Sequence, residues 1–443
     1  MADLPPVHPI DFRYGREHMR TVFTPDRRLR ALLDVEVALV RAHAEVGTIP
    51  RKDADAIAIA AGKVTVKRVE EIERETRHDV VALVRALSDA AGDAGRWVHL
   101  GATSSDILDT ATALQLTEAC DIIGDDLARL ESVLLERARR NRDLVCVGRT
   151  HGQHAVPTTY GLRFAVWACE VRRHRERLEQ CRKRLLVGQM TGAVGTQAAL
   201  GPDARRIQEL MMERLGLEPV LVSTQVVQRD RYAEFFLLCS QVAATLDKMC
   251  VAIRTLQRTE IGEVAEPTGE RQVGSSAMPQ KRNPIHAERV CGLARVVRAL
   301  GCSSLENVPL WDERDLTNSS PERVIIPECC VLLDYILDLT TGVLAGLTID
   351  KTAVKRNLAL TGGRNMAEAV MTALVDKGMD RQGAHELVRL AAKDKGDFTD
   401  AVVERASGAI SKDEVKAALR PESYIGTASE QVDRVLEVLG EDL

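Results

Sequence analysis

The sequence is poor in aromatic residues, which make up only 3% of its 443 positions, whereas leucine, alanine and valine are abundant. Tyrosine, phenylalanine and tryptophan favour strands, while alanine and leucine favour helices, so this composition predicts a largely helical protein. The net charge is only −5, and no run contains five or more like charges. This argues against a nucleic-acid or anionic-membrane surface as the main function.

The cysteine pattern and the hydropathy suggest a compartment. None of the ten cysteines forms a Cys-x-x-Cys pair, and the polar start MADLPPVHPIDFRYG does not have the order of a secretory signal. No stretch approaches about 18 uninterrupted apolar residues, the length that spans a bilayer. We therefore expect free, mostly buried thiols and a cytoplasmic protein.

The usual nucleotide and acyl-enzyme motifs are also missing. The triplet Ala61-Gly62-Lys63 lacks the earlier glycine of a P-loop, no G-x-G-x-x-G follows a strand, and no G-x-S-x-G is found. These absences weaken hypotheses of ATP-driven, hydride-transfer or acyl-serine chemistry. Nothing in the sequence predicts a metal or an organic cofactor.

What is present is a set of long amphipathic segments. Between residues 107 and 142, apolar residues recur every three or four positions without a proline, which predicts a helix about 50 Å long. Similar patterns cover residues 159–187, 228–263, 285–302 and 328–347. Long helices bury their apolar stripes against long partners, so we predict an all-α bundle, with breaks at 148–157, 188–202, 266–284 and 307–327.

The chain length, at roughly 150 residues per domain, suggests about three domains. We predict an N-terminal helical domain over residues 1–105, a central long-helix bundle over 106–347 and a C-terminal helical domain over 348–443.

The loop VGSSAMPQKRNPIHAERV at residues 273–290 combines a glycine, two serines, two prolines, a lysine and an asparagine. Lysine supplies charge, and asparagine and backbone N–H groups supply directed donors, so such a loop can hold a carboxylate. The alternative is a solvated surface loop stiffened by Pro279 and Pro284.

The segment GRTHGQHAVPTT, residues 148–159, contains His151 and His154. A histidine in such a turn can act as a general acid with a pKa near the working pH, or can simply cap the turn. Metal ligation is a third interpretation, but no third ligand is close in sequence and the H-E-x-x-H pattern is absent.

Two further segments carry polar side chains in short runs. In ETRHDVV, a cation, a titratable ring and a carboxylate are adjacent at Arg77, His78 and Asp79, which on a helix would be an ordinary polar face. In GATSSDILDTA, Thr103, Ser104 and Ser105 are placed to cap the long helix that follows, and a helix start rich in hydroxyls also suits an anion.

These segments together carry a family resemblance. GSSAMPQKRNP resembles the signature of the fumarase/aspartase superfamily of lyases, and the whole chain resembles the adenylosuccinate lyases within it. The match runs through RYG, TRHDVV, GATSSDILDTA, GRTHGQHAVPTTYG, GAVGTQA, STQVVQRD, NVPLWDERDLTNSSPERVIIP and RPESYIGTASEQVDRVL. It therefore covers nearly the full length.

The resemblance implies an all-α, three-domain fold and a homotetramer around a core of about twenty long helices, with active sites shared between subunits. It also implies two carbon–nitrogen lyase reactions of purine biosynthesis. Adenylosuccinate gives AMP and fumarate, and the succinyl-aminoimidazole carboxamide ribonucleotide gives the aminoimidazole carboxamide ribonucleotide and fumarate. No cofactor, nucleic acid or membrane is implied.

The resemblance also assigns catalytic roles. Ser275 matches the base, although Ser276 remains open as an alternative, and His151 matches the general acid. Glu288 matches the carboxylate that orients this histidine, and His78 matches a second histidine that positions the substrate. Lys281 and Asn283 match the groups that hold the succinyl carboxylate.

The remaining matches concern substrate binding. Carboxylate or base contacts are implied for Thr103, Ser104, Gln225 and Ser276, and Arg77 and Asp79 flank His78. The nucleotide-holding set consists of Arg13, Tyr14, Arg289, Arg314, Ser319 and Arg323. Arginine suits a phosphate because of its forked donors.

Two alternatives remain. Another fumarate-releasing lyase of the superfamily, such as an argininosuccinate lyase, has no phosphate to hold, so the segment from Arg314 to Arg323 discriminates against it. A non-catalytic protein on the same scaffold would be expected to lose the acid or the base, yet His151, Ser275 and Lys281 are present.

Overall fold

The computed structural model describes residues 7–269, 278 and 281–440. Within these residues there are 17 α-helices. In chain order they are α1 (Glu17–Val22), α2 (Pro25–Glu45), α3 (Arg51–Ala61), α4 (Val66–Thr76), α5 (Asp79–Ala91), α6 (Ser104–Arg140), α7 (Tyr160–Leu185), α8 (Ala204–Leu215), α9 (Asp230–Leu256), α10 (Ile285–Leu305), α11 (Ser319–Gly346), α12 (Lys351–Ala359), α13 (Ala367–Asp376), α14 (Arg381–Ala391), α15 (Phe398–Ala406), α16 (Lys412–Ala418) and α17 (Ala428–Gly440).

Short strands and 3-10 helices connect the α-helices. The strands are β1 (Val145–Thr150), β2 (Gln153–Thr159), β3 (Val187–Gly188), β4 (Glu218–Pro219), β5 (Val264–Ala265) and β6 (Thr348–Ile349). They form three two-stranded sheets, with β1–β2 and β5–β6 antiparallel and β3–β4 parallel. The 3-10 helices are Pro9–Asp11, Gly92–Trp97, Ala198–Asp203, Arg364–Met366 and Pro421–Ser423. The all-α prediction is confirmed, since the strands are brief additions to a helical fold.

The five predicted long helices are present as α6, α7, α9, α10 and α11. Helix α6 has 37 residues and is therefore about 55 Å long. The predicted break before the last of them is wrong at its C-terminal end, because α11 begins at Ser319 and contains Pro327. Proline removes one helical hydrogen bond, but Glu322 pairs with Arg229 and Ile325 is buried, so tertiary contacts stabilise this first part of the helix.

Two compact units divide the chain. The first contains Met1–Leu127, His174–Ala244 and Gly292–Leu337, and the second contains Ala128–Arg173, Thr245–Cys291 and Asp338–Leu443. The three-domain division remains a prediction. In the first unit, α2 packs against α3 and α8 around a core that includes Leu39, Ile57 and Met211.

In the second unit, α13 to α16 enclose a smaller core that includes Phe398, Val402 and Leu374. The antiparallel pair β1–β2 contacts α12 through β1 and α17 through β2. This hairpin was expected only as a break in the helices.

All ten cysteines are free and most are buried, as expected, with Cys302 exposed. Two helices of the described residues, α9 and α11, are long and apolar enough to cross a membrane by those criteria alone. In their most apolar windows, 56% and 67% of residues are buried inside the protein, which is typical of core helices.

Candidate active site

The arginine, histidine and aspartate of TRHDVV form a junction between two helices, not a helix face. Helix α4 ends at Thr76, and Arg77 caps it in the left-handed conformation with φ 53°. His78 then caps α5, and its Nδ1 accepts a hydrogen bond from the Val81 N–H at 3.3 Å. An accepting Nδ1 leaves the proton of a neutral ring on Nε2, so His78 is held as one tautomer.

Asp79 lies at the first position of α5, where its carboxylate contacts a distant segment. Arg323 Nη2 donates to Asp79 Oδ2 at 2.6 Å, and the Val80 N–H donates to Asp79 Oδ1 at 2.8 Å. Asp79 and Arg323 are thus in contact although they are 244 positions apart in sequence. Both are residues predicted for the substrate site.

Arg314 and Gln225 form a second contact between predicted site residues. Arg314 Nη1 donates to Gln225 Oε1 at 2.9 Å and to Ser105 Oγ at 2.7 Å. Gln225 is fixed in turn, because its Nε2 donates to the Ala193 carbonyl and its own carbonyl accepts from Gln189 Nε2, both at 2.8 Å. Sequence reasoning interpreted Ser105 as part of a helix cap that could also bind an anion, and missed its contact with Arg314.

Thr103 and Ser104 lie at the start of α6, as predicted. The third helical residue, Asp106, accepts from the Thr103 N–H at 2.9 Å, the return half of a capping box. Asp106 also accepts from the N–H groups of Thr191 at 2.9 Å and Gly192 at 3.1 Å. Burial raises the pKa of Asp106, although these three hydrogen bonds lower it.

Arg13 and Tyr14 contact each other near the N-terminus. Arg13 Nε donates to Tyr14 Oη at 3.1 Å, and the Tyr14 ring lies 5.9 Å from the ring of Tyr335. In the described part of the chain, no hydrogen bond or ion pair joins Arg13 or Tyr14 to Arg314, Ser319 or Arg323.

Ser319 is the first residue of α11. It lines the same cavity as Asp79, Arg314 and Arg323. The structure thus gathers four of the predicted substrate-binding residues around one cavity of the first unit.

His151 occupies the turn of the β1–β2 hairpin in the second unit. Thr150 pairs with Gln153, so His151 and Gly152 form a two-residue turn, with φ 53° and 74°. Two positive φ values define a type I′ turn, which glycine adopts freely and histidine tolerates better than most residues. The His151 side chain is exposed at the tip.

Arg149, two residues before His151, anchors this hairpin through a buried carboxylate. Glu263 is fully buried and accepts hydrogen bonds from Arg149, from Tyr160 Oη at 2.7 Å and from Asn357 Nδ2 at 2.9 Å. These bonds hold the pKa of Glu263 below its usual range against the raising effect of burial.

His154 is paired with Arg149 across the hairpin. Burial and the neighbouring Arg149 charge lower the pKa of His154. Among the described residues, no group of three or more histidine, cysteine, aspartate or glutamate side chains is arranged to hold a metal ion.

The residues after the superfamily signature lead into α10. Glu266 accepts from the N–H groups of His286 at 3.0 Å and Ala287 at 3.2 Å, and so caps this helix. Lys281 is exposed, and the Asn283 carbonyl accepts from the Ile285 N–H at 2.9 Å. Ser275 and Ser276 lie outside the described residues.

Glu288 and Arg289 lie in the first turn of α10, with Glu288 exposed. Within the described residues of this single chain, no hydrogen bond or ion pair joins Glu288 to His151. The proposed orienting role of Glu288 therefore stays a prediction.

The predicted site residues fall into two groups. Arg13, Tyr14, Arg77, His78, Asp79, Thr103, Ser104, Gln225, Arg314, Ser319 and Arg323 belong to the first unit, and His151, Lys281, Asn283, Glu288 and Arg289 to the second. The first group contains mainly donors and cations suited to anions. The second contains His151, whose imidazole is exposed on the hairpin turn.

Comparison with known proteins defines the class. A family model described as "Lyase" matches residues 11–299. Two solved structures have the same fold: a fumarate lyase from Mesorhizobium sp. BNC1, with a TM-score of 0.89 and 31% identity over 96% of this chain and 98% of that one, and a 3-carboxy-cis,cis-muconate lactonizing enzyme from Pseudomonas putida, with 0.88 and 34% over 97% and 98%. The chain belongs to this lyase family.

The narrower assignment comes from the rest of the chain and from curated relatives. A second model, described as "Adenylosuccinate lyase C-terminus", matches residues 363–435. An adenylosuccinate lyase of Pyrococcus abyssi is 53% identical, covering 98% of each chain. One of Methanothermobacter thermautotrophicus is 51% identical, covering 97% of this chain and 98% of the relative. Within the lyases, the chain is thus a member of the adenylosuccinate lyase family.

Proposed function

We propose that this chain removes fumarate from adenylosuccinate, giving AMP, and from the succinyl-aminoimidazole carboxamide ribonucleotide. The observation that carries the proposal is the similarity to adenylosuccinate lyases at 51 to 53% identity across almost the whole length. The contacts of Arg314 with Ser105 and Gln225 support it, because they place an arginine suited to a phosphate beside a hydroxyl and an amide, in a cavity that Arg323 also lines.

The reaction is an anti β-elimination across a carbon–nitrogen bond. A base removes a proton from the carbon next to a carboxylate, a weak acid, so the developing negative charge needs preorganised donors and cations. Ser275 is proposed as the base, with Ser276 as its alternative. Lys281 and Asn283 hold the carboxylate that gathers charge.

Protonation of the leaving nitrogen completes the reaction. His151 is proposed as the acid, with Glu288 orienting its ring, since a carboxylate fixes the tautomer of an imidazole. His78 helps to position the substrate together with Arg77, Asp79, Thr103, Ser104 and Gln225. The nucleotide is held by Arg13, Tyr14, Arg289, Arg314, Ser319 and Arg323.

We further propose a cytoplasmic homotetramer whose subunits share active sites. The exposed position of His151 on its turn, away from any described carboxylate partner in its own chain, supports a site completed by neighbouring chains. Size measurement in solution tests the assembly, and a monomer with full activity would refute shared sites.

The catalytic test is ultraviolet spectroscopy of the purified protein with adenylosuccinate and, separately, with argininosuccinate, together with direct measurement of fumarate. We expect fumarate and AMP from adenylosuccinate only. Release of fumarate from argininosuccinate without turnover of adenylosuccinate would favour another lyase of the superfamily. Release from neither substrate would refute the proposal.

A further inference from the structure

The first unit contains a cavity of about 590 Å³. Its walls are largely apolar, with Leu29 of α2, Val69 of α4 and Leu83 of α5 among them. Four arginines also line it, namely Arg28, Arg229, Arg314 and Arg323. An apolar cavity with a few convergent polar groups is the usual form of a small-molecule site.

Helix α6 holds three of these arginines along one face. Ser105, Asp109 and Thr112 follow one another at i, i+4 and i+7, and accept hydrogen bonds from Arg314, Arg229 and Arg28, respectively. At about 1.5 Å per residue, this row spans roughly 10 Å of the helix. Arg314 and Arg28 therefore lie at its two ends, with Arg229 between them.

Two of the four cations already have carboxylate partners. Arg229 donates to both oxygens of Asp109, at 2.7 and 2.9 Å, and to Glu322 at 2.8 Å. Arg323 pairs with Asp79. Two carboxylates therefore compensate the charge of Arg229. Arg323, which is more exposed, has a single carboxylate partner.

Arg28 is bonded differently, to neutral acceptors. Its Nη1 donates to Thr112 Oγ1 at 3.0 Å and to Gln115 Oε1 at 2.8 Å. Both acceptors are themselves oriented, because the Thr112 hydroxyl donates to the Leu108 carbonyl at 2.8 Å and Gln115 Nε2 donates to the Val22 carbonyl at 2.6 Å. These two oriented oxygens therefore hold the Arg28 guanidinium in place.

The rest of the Arg28 guanidinium has capacity for a ligand. Within the described residues, its Nε and Nη2 make no hydrogen bond, and no carboxylate forms an ion pair with it. Burial lowers the pKa of Arg28, despite the raising influence of Tyr232, Asp109 and Asp79. Arg28 is half-buried against largely apolar walls, and an anion bound in the cavity would give this cation a direct counter-charge.

The acidic groups of the cavity limit where an anion can bind. Glu70 and Glu73 line the wall formed by α4 and would repel it. Asp109 and Glu322 are occupied by Arg229. The wall formed by α2 and α6, around Arg28, is therefore the part of the cavity where an anion can bind.

We propose that Arg28 is a further substrate-binding residue, which contacts an anionic group of the substrate at the opposite end of the cavity from Arg314. The inference rests on the proposed function, whose substrate has a phosphate at one end and two carboxylates at the other. The apolar walls between the two arginines would then contact the neutral sugar and base.

The test compares Arg28→Gln and Arg28→Lys with Arg30→Gln in the full-length protein. Arg30 is the matched control, since it lies on the same helix but is exposed and pairs with Asp34 at 2.8 Å. We expect Arg28→Gln to raise KM for adenylosuccinate about tenfold or more, because hydrogen bonds to charged groups are the stronger ones. Arg28→Lys should have a smaller effect because it keeps the charge but loses the fork, and Arg30→Gln should have none.

Product inhibition identifies which anion Arg28 contacts. Weaker inhibition by AMP with unchanged inhibition by fumarate would assign the phosphate, and the reverse would assign a carboxylate. Unchanged KM and unchanged inhibition by both products in a folded Arg28→Gln variant would overturn the inference. If that variant does not fold, the same comparison in Arg28→Lys decides. Failure of the unaltered chain to release fumarate would refute the proposed function instead.

Discussion

Arg314 and His151 are both predicted site residues, but the chain holds them in different ways. Arg314 is half-buried, and Ser105 and Gln225 both accept hydrogen bonds from it. His151 is exposed on a two-residue turn of the hairpin, and in the part of the chain that the structure describes no side-chain hydrogen bond or ion pair holds its ring. Arg314 is thus preorganised by contacts within one chain, whereas among the described residues the proposed acid has no comparable side-chain contact. Sharing of sites between subunits would produce this difference.

The largest expected effect is the loss of turnover when His151, the hairpin residue in this comparison, is replaced. His151→Asn should reduce turnover by about 10² to 10⁴-fold, because it removes the proton donor for the leaving nitrogen. Asparagine tolerates the left-handed conformation, so the turn should persist. Steady-state kinetics should show the loss in kcat with little change in KM.

His154→Asn is the matched control, since His154 lies in the same hairpin but is not proposed to contact substrate. It should retain most of the turnover, and an equal loss in both variants would contradict a specific role for His151. Mixing inactive His151→Asn with inactive Ser275→Ala chains should restore part of the activity if sites are shared. Mixed assemblies without any recovered activity would argue against sharing.

The sequence predicted the long helices better than the connections between them. Apolar residues every three or four positions located α6 and α10 closely, because burial of one face requires that spacing. The β1–β2 hairpin was missed, since its turn carries histidine before glycine in place of the more usual asparagine. The helical start of α11 was missed because Pro327 indicated a break that tertiary contacts override.

Site residues could be nominated from motifs, but their partners could not. Nothing local in the sequence pairs Asp79 with Arg323, because the two residues are 244 positions apart and meet only in the folded chain. The role of Ser105 was hidden for the same reason, since a serine at a helix start is usually explained by capping. Arg28 was not noticed because an arginine on an amphipathic helix looks like an ordinary polar position.

The second-largest expected effect is a loss of stability when the buried ion pairs of the first unit are broken. Arg229 is buried and binds Asp109 and Glu322, so Arg229→Met would leave the buried carboxylate of Asp109 and the half-buried carboxylate of Glu322 without this cation. Breaking such a pair typically costs about 3 to 5 kcal/mol in the free energy of unfolding. Denaturant or thermal unfolding should show a clear loss of stability.

Arg389→Met provides the contrast in the second unit. Arg389 pairs with Glu386 one helical turn away, at 2.6 Å, but both side chains are exposed. Exposed pairs contribute little, so this variant should unfold at nearly the same temperature as the unaltered protein. Equal losses in both variants would mean that the Arg229 cluster is no more stabilising than a surface pair.

The smallest effect concerns the pH dependence of stability and the ion pairs of Arg16, two residues after Tyr14. Arg16 binds both Asp126 and Asp334, and burial raises the pKa of Asp126 to about 7, with Asp334 adding to the rise and Arg16 opposing it. An unfolded aspartate titrates near 3.9, so the folded protein binds this proton more tightly. The resulting stability is fully present below about pH 4 and is lost as pH rises through about 7.

In thermal unfolding from about pH 5 to about pH 8, the unaltered protein should therefore lose stability relative to Asp126→Asn, by at most about 1.4 kcal/mol per pH unit. Parallel curves for the two proteins would show that Asp126 does not take up a proton in this range.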